Sequence, residues 1–151
     1  MDSEPPALDA LDEVRMREAI RDLFARYAWS FDTGDVDGYV STFEPDGVLD
    51  LPDGTFVGHD QIRAYAAGVV ADPNFVGRQH FVGQSVFDPA AVHWTVRSYA
   101  MITQLVTGAA PHIVSVGHYV DECTETRDGW CFARRTYRRW GGDVLWRFQS
   151  T

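Results

Sequence analysis

The chain has 151 residues, the size of one domain that can bury a core without a metal or disulfide staple. Hydrophobic residues make up 45% of it and aromatics 13%, a composition that excludes a disordered chain. A formal net charge of −9 argues against nucleic acid as a partner, because such a surface repels phosphate. No apolar run approaches the roughly 20 residues of a membrane span.

Met1 to Asp12 is acidic and contains Pro5-Pro6. It lacks the basic start and apolar stretch of a signal peptide, so residues 1–11 read as a flexible lead-in to a single domain spanning 1–151. Cys123 and Cys131 form no CxxC and no metal-type spacing with histidine; they read as two reduced thiols of a cytoplasmic protein.

The first element is helical. Ile20, Leu23, Phe24, Tyr27, Ala28 and Phe31 recur at spacings of three and four, which marks one apolar face. Asp9 or Asp12 can cap its start, and Gly34 follows its end. A short helix capped by Asp35 follows, with Tyr39, Val40 and Phe43 facing inward. Pro45-Asp46-Gly47 breaks the chain. Val48–Leu51 and Thr55–Val57 flank Pro52-Asp53-Gly54 as a small hairpin. Gly58 to Val70 is a third helix, with Ile62, Tyr65, Ala66 and Val69 as its stripe. From Gly77 onward, segments rich in valine, threonine and aromatics predict strands near 77–87, 92–106, 112–126 and 130–140, with a short one near Leu145–Phe148. Three helices before a meander of long strands predict an α+β fold, a cone-shaped half-barrel with the helices packed on a curved, mostly antiparallel sheet. Such a sheet can enclose a pocket against the first helix.

Asp32 lies at the edge of the apolar helix face, where a half-buried carboxylate needs a partner. The plain alternative is a solvent-facing residue that bonds the Thr33-Gly34-Asp35 turn. His80 lies early in the first long strand and shares a face with Val82 and Val86 by alternation. His118 shares an apolar face with Val114 and Val116. Each histidine alone reads more readily as a hydrogen-bonded core residue than as a catalyst. Two histidines on one sheet, with a carboxylate on the helix that the sheet covers, form a set suited to acid–base work. The carboxylate fixes the tautomer and stabilises the imidazolium, and the second histidine can protonate a departing hydroxyl. Tyr27 could aim its hydroxyl at the same pocket or serve as a core aromatic. One aspartate and two histidines also match the ligand types of a facial metal triad, but HxxH, HxD and HExxH are absent from the sequence, so no metal is expected. Arg134 and Arg138 alternate with Arg135 and Arg139, so both faces of the last long strand carry charge. The simpler reading pairs the outer ones with Asp121, Glu122 and Glu125 across the hairpin, with a bulge permitting it; the other places one arginine at the pocket mouth or a subunit interface. The glycines form no GxGxxG or P-loop, so no nucleotide is expected.

These residues resemble the nuclear transport factor 2-like superfamily in its SnoaL-like branch, nearest the scytalone dehydratase and bile-acid 7-alpha-dehydratase type. The resemblance rests on Tyr27-Ala28-Trp29-Ser30-Phe31-Asp32 with Asp35 and Asp37, on Arg78-Gln79-His80-Phe81-Val82-Gly83, on Gly117-His118 and on Gly129-Trp130-Cys131-Phe132-Ala133. It implies a cone fold without cofactors, assembled as a homodimer or homotrimer. It implies catalytic roles for Asp32, His80, His118 and Tyr27, and a substrate lining of Phe31, Leu51, Val116 and one of Arg138 or Arg139. Two tyrosines of scytalone dehydratase fall on Phe31 and Leu51, so scytalone itself is not the expected substrate. The expected activity is a dehydratase acting on a small hydrophobic hydroxy-carbonyl compound, a polyketide- or steroid-like ring. The alternatives are an isomerase or cyclase on such a substrate, or a non-catalytic binding or structural subunit like the small subunit of ring-hydroxylating dioxygenases.

Overall fold

Asp9 starts the first helix, α1 (Ala10–Thr33), by accepting the Leu11 N–H at 3.1 Å, and acidic Asp12 and Glu13 occupy the electropositive first turn. The computed structural model describes residues 9–90 and 92–141. Helix therefore begins inside the segment expected as a lead-in, and the strand expected at Leu145–Phe148, with Arg147, lies outside the described residues. α1 stops at Gly34, whose φ of 79° is left-handed; Gly34 N–H reaches Phe31 O and Asp35 N–H reaches Ser30 O. That stop holds Asp32 in the last turn. The six apolar residues of the periodic face are the buried ones, and each large side chain so removed from water stabilises by about 1.5–3 kcal/mol.

The next elements are α2 (Val36–Val40), β1 (Phe43–Leu51), β2 (Gly54–Val57), α3 (Gly58–Val70) and a 3-10 turn at Pro73–Phe75. The strands β3 (Arg78–Asp88), β4 (Trp94–Gln104), β5 (His112–Thr126) and β6 (Gly129–Arg139) complete the order. Asp35 caps α2 through the Gly38 N–H at 2.8 Å. Phe43 starts β1 rather than ending the short helix. Pro45-Asp46-Gly47 interrupts the register of β1 with β6 instead of ending a strand, because a bulge absorbs residues that cannot pair.

The six strands run in the order β2-β1-β6-β5-β4-β3. Every pairing is antiparallel except β1 with β6. The sheet is open, with β2 and β3 as its edges, and the helices pack on its concave face: an α+β cone. Inward positions alternate as expected. On β4 they include Trp94, Val96, Ser98 and Ala100; on β5 they include Gly117, Tyr119, Asp121 and Cys123.

Two bulges change which residues point inward. The register of β3 with β4 slips between Gly83 and Val86, where Gln84 has a φ of 48°. Val86 therefore does not share the face of His80: it is exposed, and Phe87 is buried in its place. The register of β5 with β6 slips between Glu122 and Cys123, leaving Ala133 as the extra residue. Phe132 and Arg135 consequently both face the core. Among the described residues no helix is long and apolar enough to cross a membrane.

Candidate active site

Asp32 and His80 meet. Asp32 Oδ2 accepts the main-chain N–H of His80 at 2.8 Å, and Asp32 Oδ1 lies 2.5 Å from His80 Nδ1. β3 is an edge strand, and the N–H that such a strand leaves without a ladder partner is taken here by the helix carboxylate. The pair is largely removed from water, with 8% of the His80 side chain and 16% of the Asp32 side chain exposed. The rings of Phe31 and Phe75 stand 5.4 and 6.3 Å from the imidazole. A carboxylate only accepts, so Nδ1 carries a proton, and in the neutral ring Nε2 then holds the lone pair. Nε2 makes no hydrogen bond among the described residues, and His80 is one of the residues that line the groove between α1 and β3.

Around the pair the inner face is apolar. Phe31 is buried against Tyr39, Phe75 and His80. Leu51, the last residue of β1, is half-buried and packs on both the main core and the cluster of Ala100, Tyr119 and Tyr137; so does Val82. Tyr65 is partly buried, and burial pushes its phenol up to about 12. A groove of about 520 Å³ also opens between α1 and β3, with His80, Ala28, Trp29 and Val82 among its walls.

His118 is not brought to this pair. Gly117 and Tyr119 take the inward positions of β5, so period-two alternation turns His118 and Val116 to the convex face. The apolar face these residues share is the outer one. There the Trp140 Nε1–H donates to His118 Nδ1 at 2.9 Å, and burial followed by the Arg138 charge lowers the His118 pKa. Arg138 stands beside His118 in register and donates to Asp50 at 2.8 Å. That bond is the largest cause of the lowered Asp50 carboxyl. Arg139 is exposed at the end of β6. The expectation of one convergent site for all these residues is therefore corrected.

Tyr27 is buried in the core, where its hydroxyl accepts from Tyr39 at 3.0 Å. Burial and then the neighbouring Tyr39 raise its pKa well above the ordinary value. The Arg135 guanidinium carbon lies 4.1 Å from the Tyr27 ring centre, 3.7 Å from Tyr119 and 4.5 Å from Phe132. Arg135 and its cross-strand partner Asp121 are both 0% exposed, 3.4 Å apart at their nearest charged atoms. Burial outweighs the pull of Arg135 and pushes the Asp121 carboxyl up to about 7. Sequence reasoning paired Asp121 with an outer arginine; the bulge at Ala133 instead turns Arg135 inward. Cross-strand charge complementarity was the legible signal, and the direction of the pair was not. Among the described residues no three His, Cys, Asp or Glu side chains gather as metal ligands.

Helices on an open mixed sheet, with a carboxylate–imidazole pair between α1 and the edge strand, define an α+β cone of the nuclear transport factor 2-like class. Residues 12–136 match the SnoaL-like domain, and the chain belongs to that family. Similar solved structures include a nuclear transport factor 2-like protein with a cystatin-like fold from Novosphingobium aromaticivorans. It is 24% identical, with a TM-score of 0.78, over 100% of this chain and 99% of that one. A candidate scytalone dehydratase from the same organism is 22% identical, with a TM-score of 0.74, over 86% and 87% of the two chains. ActVI-ORFA from Streptomyces coelicolor is 18% identical, with a TM-score of 0.73, over 82% and 96%. At these identities the likeness is one of fold. No curated protein matches the sequence.

Proposed function

We propose that the protein is a cofactor-independent acid–base enzyme that dehydrates a small hydrophobic hydroxy-carbonyl compound. One observation carries the reading: Asp32 holds His80 Nδ1 at 2.5 Å while Nε2 makes no hydrogen bond among the described residues and His80 lines a groove. Family membership supports dehydratase, cyclase or isomerase chemistry on small molecules in general. His80 Nε2 removes the proton from the carbon beside the carbonyl, and the electron pair moves toward the carbonyl oxygen. Asp32 stabilises the imidazolium that forms. The enolate then expels the hydroxyl on the next carbon, and the imidazolium returns its proton to that oxygen, which leaves as water. His80 thus serves as base and then acid, and His118 on the convex face has no part. Isomerisation and cyclisation begin with the same enolate.

Exchange of α-protons for deuterium tests the first step directly. The probes are 2-tetralone, 1-indanone and 3-hydroxy-1-tetralone in D2O, followed by proton NMR. The wild type should accelerate exchange, and His80→Ala should lose 10²–10⁴-fold of that rate, with a thermal midpoint near that of the wild type. Acceleration of none of the three probes, or equal rates for wild type and His80→Ala, would remove the enzyme reading and favour a scaffold.

A further inference from the structure

Among the polar pairs that the acid–base reading leaves unused, one joins a half-buried serine on the inner face to a buried tyrosine. Ser115 Oγ and the Tyr137 hydroxyl share a hydrogen bond of 2.6 Å. Gly117 makes it possible: a Cβ there would stand 2.7 Å from Tyr137 Cε2 and 2.8 Å from the Tyr137 hydroxyl oxygen. The phenol therefore lies across a residue with no side chain and reaches from β6 to Ser115, the next inward residue of β5. Ser115 pairs with Ile102, and Ile102 pairs with His80. Opposed residues of antiparallel strands share a face, so His80, Ile102 and Ser115 form one row across three strands. Strand spacing puts the outer two Cα atoms about 10 Å apart. Strand side chains stand roughly perpendicular to the sheet, so Ile102 stands between the two and a guest joining imidazole and hydroxyl would lie above it. Tyr137 is buried and Ser115 only half-buried, so the serine presents the pair to a guest.

We propose that Ser115, positioned by Tyr137, is the oxygen-binding pole of the site, and that the substrate is a ring ketone seated between it and His80. This rests on the acid–base reading above and narrows it. The carbon–hydrogen bond beside the carbonyl breaks, its proton goes to His80 Nε2, and its electron pair forms the carbon–carbon double bond. The negative charge arrives on the carbonyl oxygen, where the Ser115 hydroxyl donates to it. Tyr137 donates in turn to Ser115 Oγ, which orients the serine proton toward the guest. The apolar walls supplied by Phe31, Leu51 and Val82 suit a flat hydrocarbon ring around that carbonyl.

Two measurements test the pair. In the 2-tetralone exchange assay, Ser115→Ala should lower kcat about a hundredfold with KM within threefold, as for a donor that acts on developing charge. Tyr137→Phe should lower kcat about tenfold, since it loosens the donor without removing it, and Ser115→Thr should restore most of the rate. Separately, 2-naphthol, whose phenol oxygen stands for the enolate, should bind about tenfold more weakly to Ser115→Ala by fluorescence titration. Unchanged kcat and unchanged 2-naphthol affinity in Ser115→Ala, with His80→Ala inactive, would overturn the oxygen pole and leave the acid–base reading standing. If His80→Ala instead keeps the full exchange rate, the acid–base reading falls. The naphthol titration then judges the pair alone: weaker binding supports it and equal binding overturns it. Urea midpoints close to that of the wild type confirm that the variants are folded.

Discussion

Replacing Asp32 by asparagine removes one charge and, with it, the tautomer of His80. Asp32 receives two N–H groups, one from the His80 main chain and one from Nδ1. Asparagine has a single acceptor oxygen. If that oxygen keeps the main-chain N–H, the amide NH2 faces Nδ1, which must then accept. The imidazole proton moves to Nε2, and the lone pair needed at the substrate is gone. The imidazolium also loses its stabilising anion. A change of this kind costs 10²–10⁴-fold in rate, about 3–5 kcal/mol in the barrier, against roughly 1 kcal/mol in folding stability for one weakened hydrogen bond. Two readouts check it: α-proton exchange of 2-tetralone, and nitrogen-15 NMR of the histidine rings, which separates the tautomers. A normal exchange rate, or a variant whose His80 still carries its proton on Nδ1, would refute the reasoning.

The sealed Asp121–Arg135 pair gives a prediction about stability. Above about pH 7, where Asp121 is ionised, Asp121→Ala leaves a fully buried guanidinium without its anion and should cost about 3–5 kcal/mol in urea unfolding. The double change Asp121→Leu with Arg135→Met should recover most of it. The same pair sets a pH trend. Burial raises the folded-state pKa of Asp121 to about 7, above the ordinary carboxylate value. The folded state therefore holds a proton that the unfolded state releases, and this contribution is fully present below about pH 4 and lost as pH rises through about 7. The thermal midpoint of the wild type should fall relative to Asp121→Asn over that window; parallel curves would count against it. His118→Ala should keep the 2-tetralone exchange rate within twofold, because its ring lies on the convex face, and a tenfold loss would contradict the placement.

The local order of this protein is written in its sequence. The periodic stripe from Ile20 to Phe31 marks the buried face of α1, and Gly34 marks where the helix stops. The long runs after Gly77 become the four long strands. These features depend on neighbours three, four or two residues away, so a single chain displays them. Asp32 and His80 were also legible, since a carboxylate on an apolar stripe and an imidazole on a strand both demand partners. What alternation alone could not decide was which side of the sheet is the inside. His118 sits on an apolar run, yet that run faces out, because the concavity of the sheet belongs to the strands together. Nor does sequence spacing reveal where a bulge falls. One extra residue at Ala133 turns Arg135 into the core beside Asp121, and one near Gln84 turns Val86 out. A bulge is set by how two strands register against each other, so only the folded sheet determines which charged side chains are sealed inside and which meet a guest.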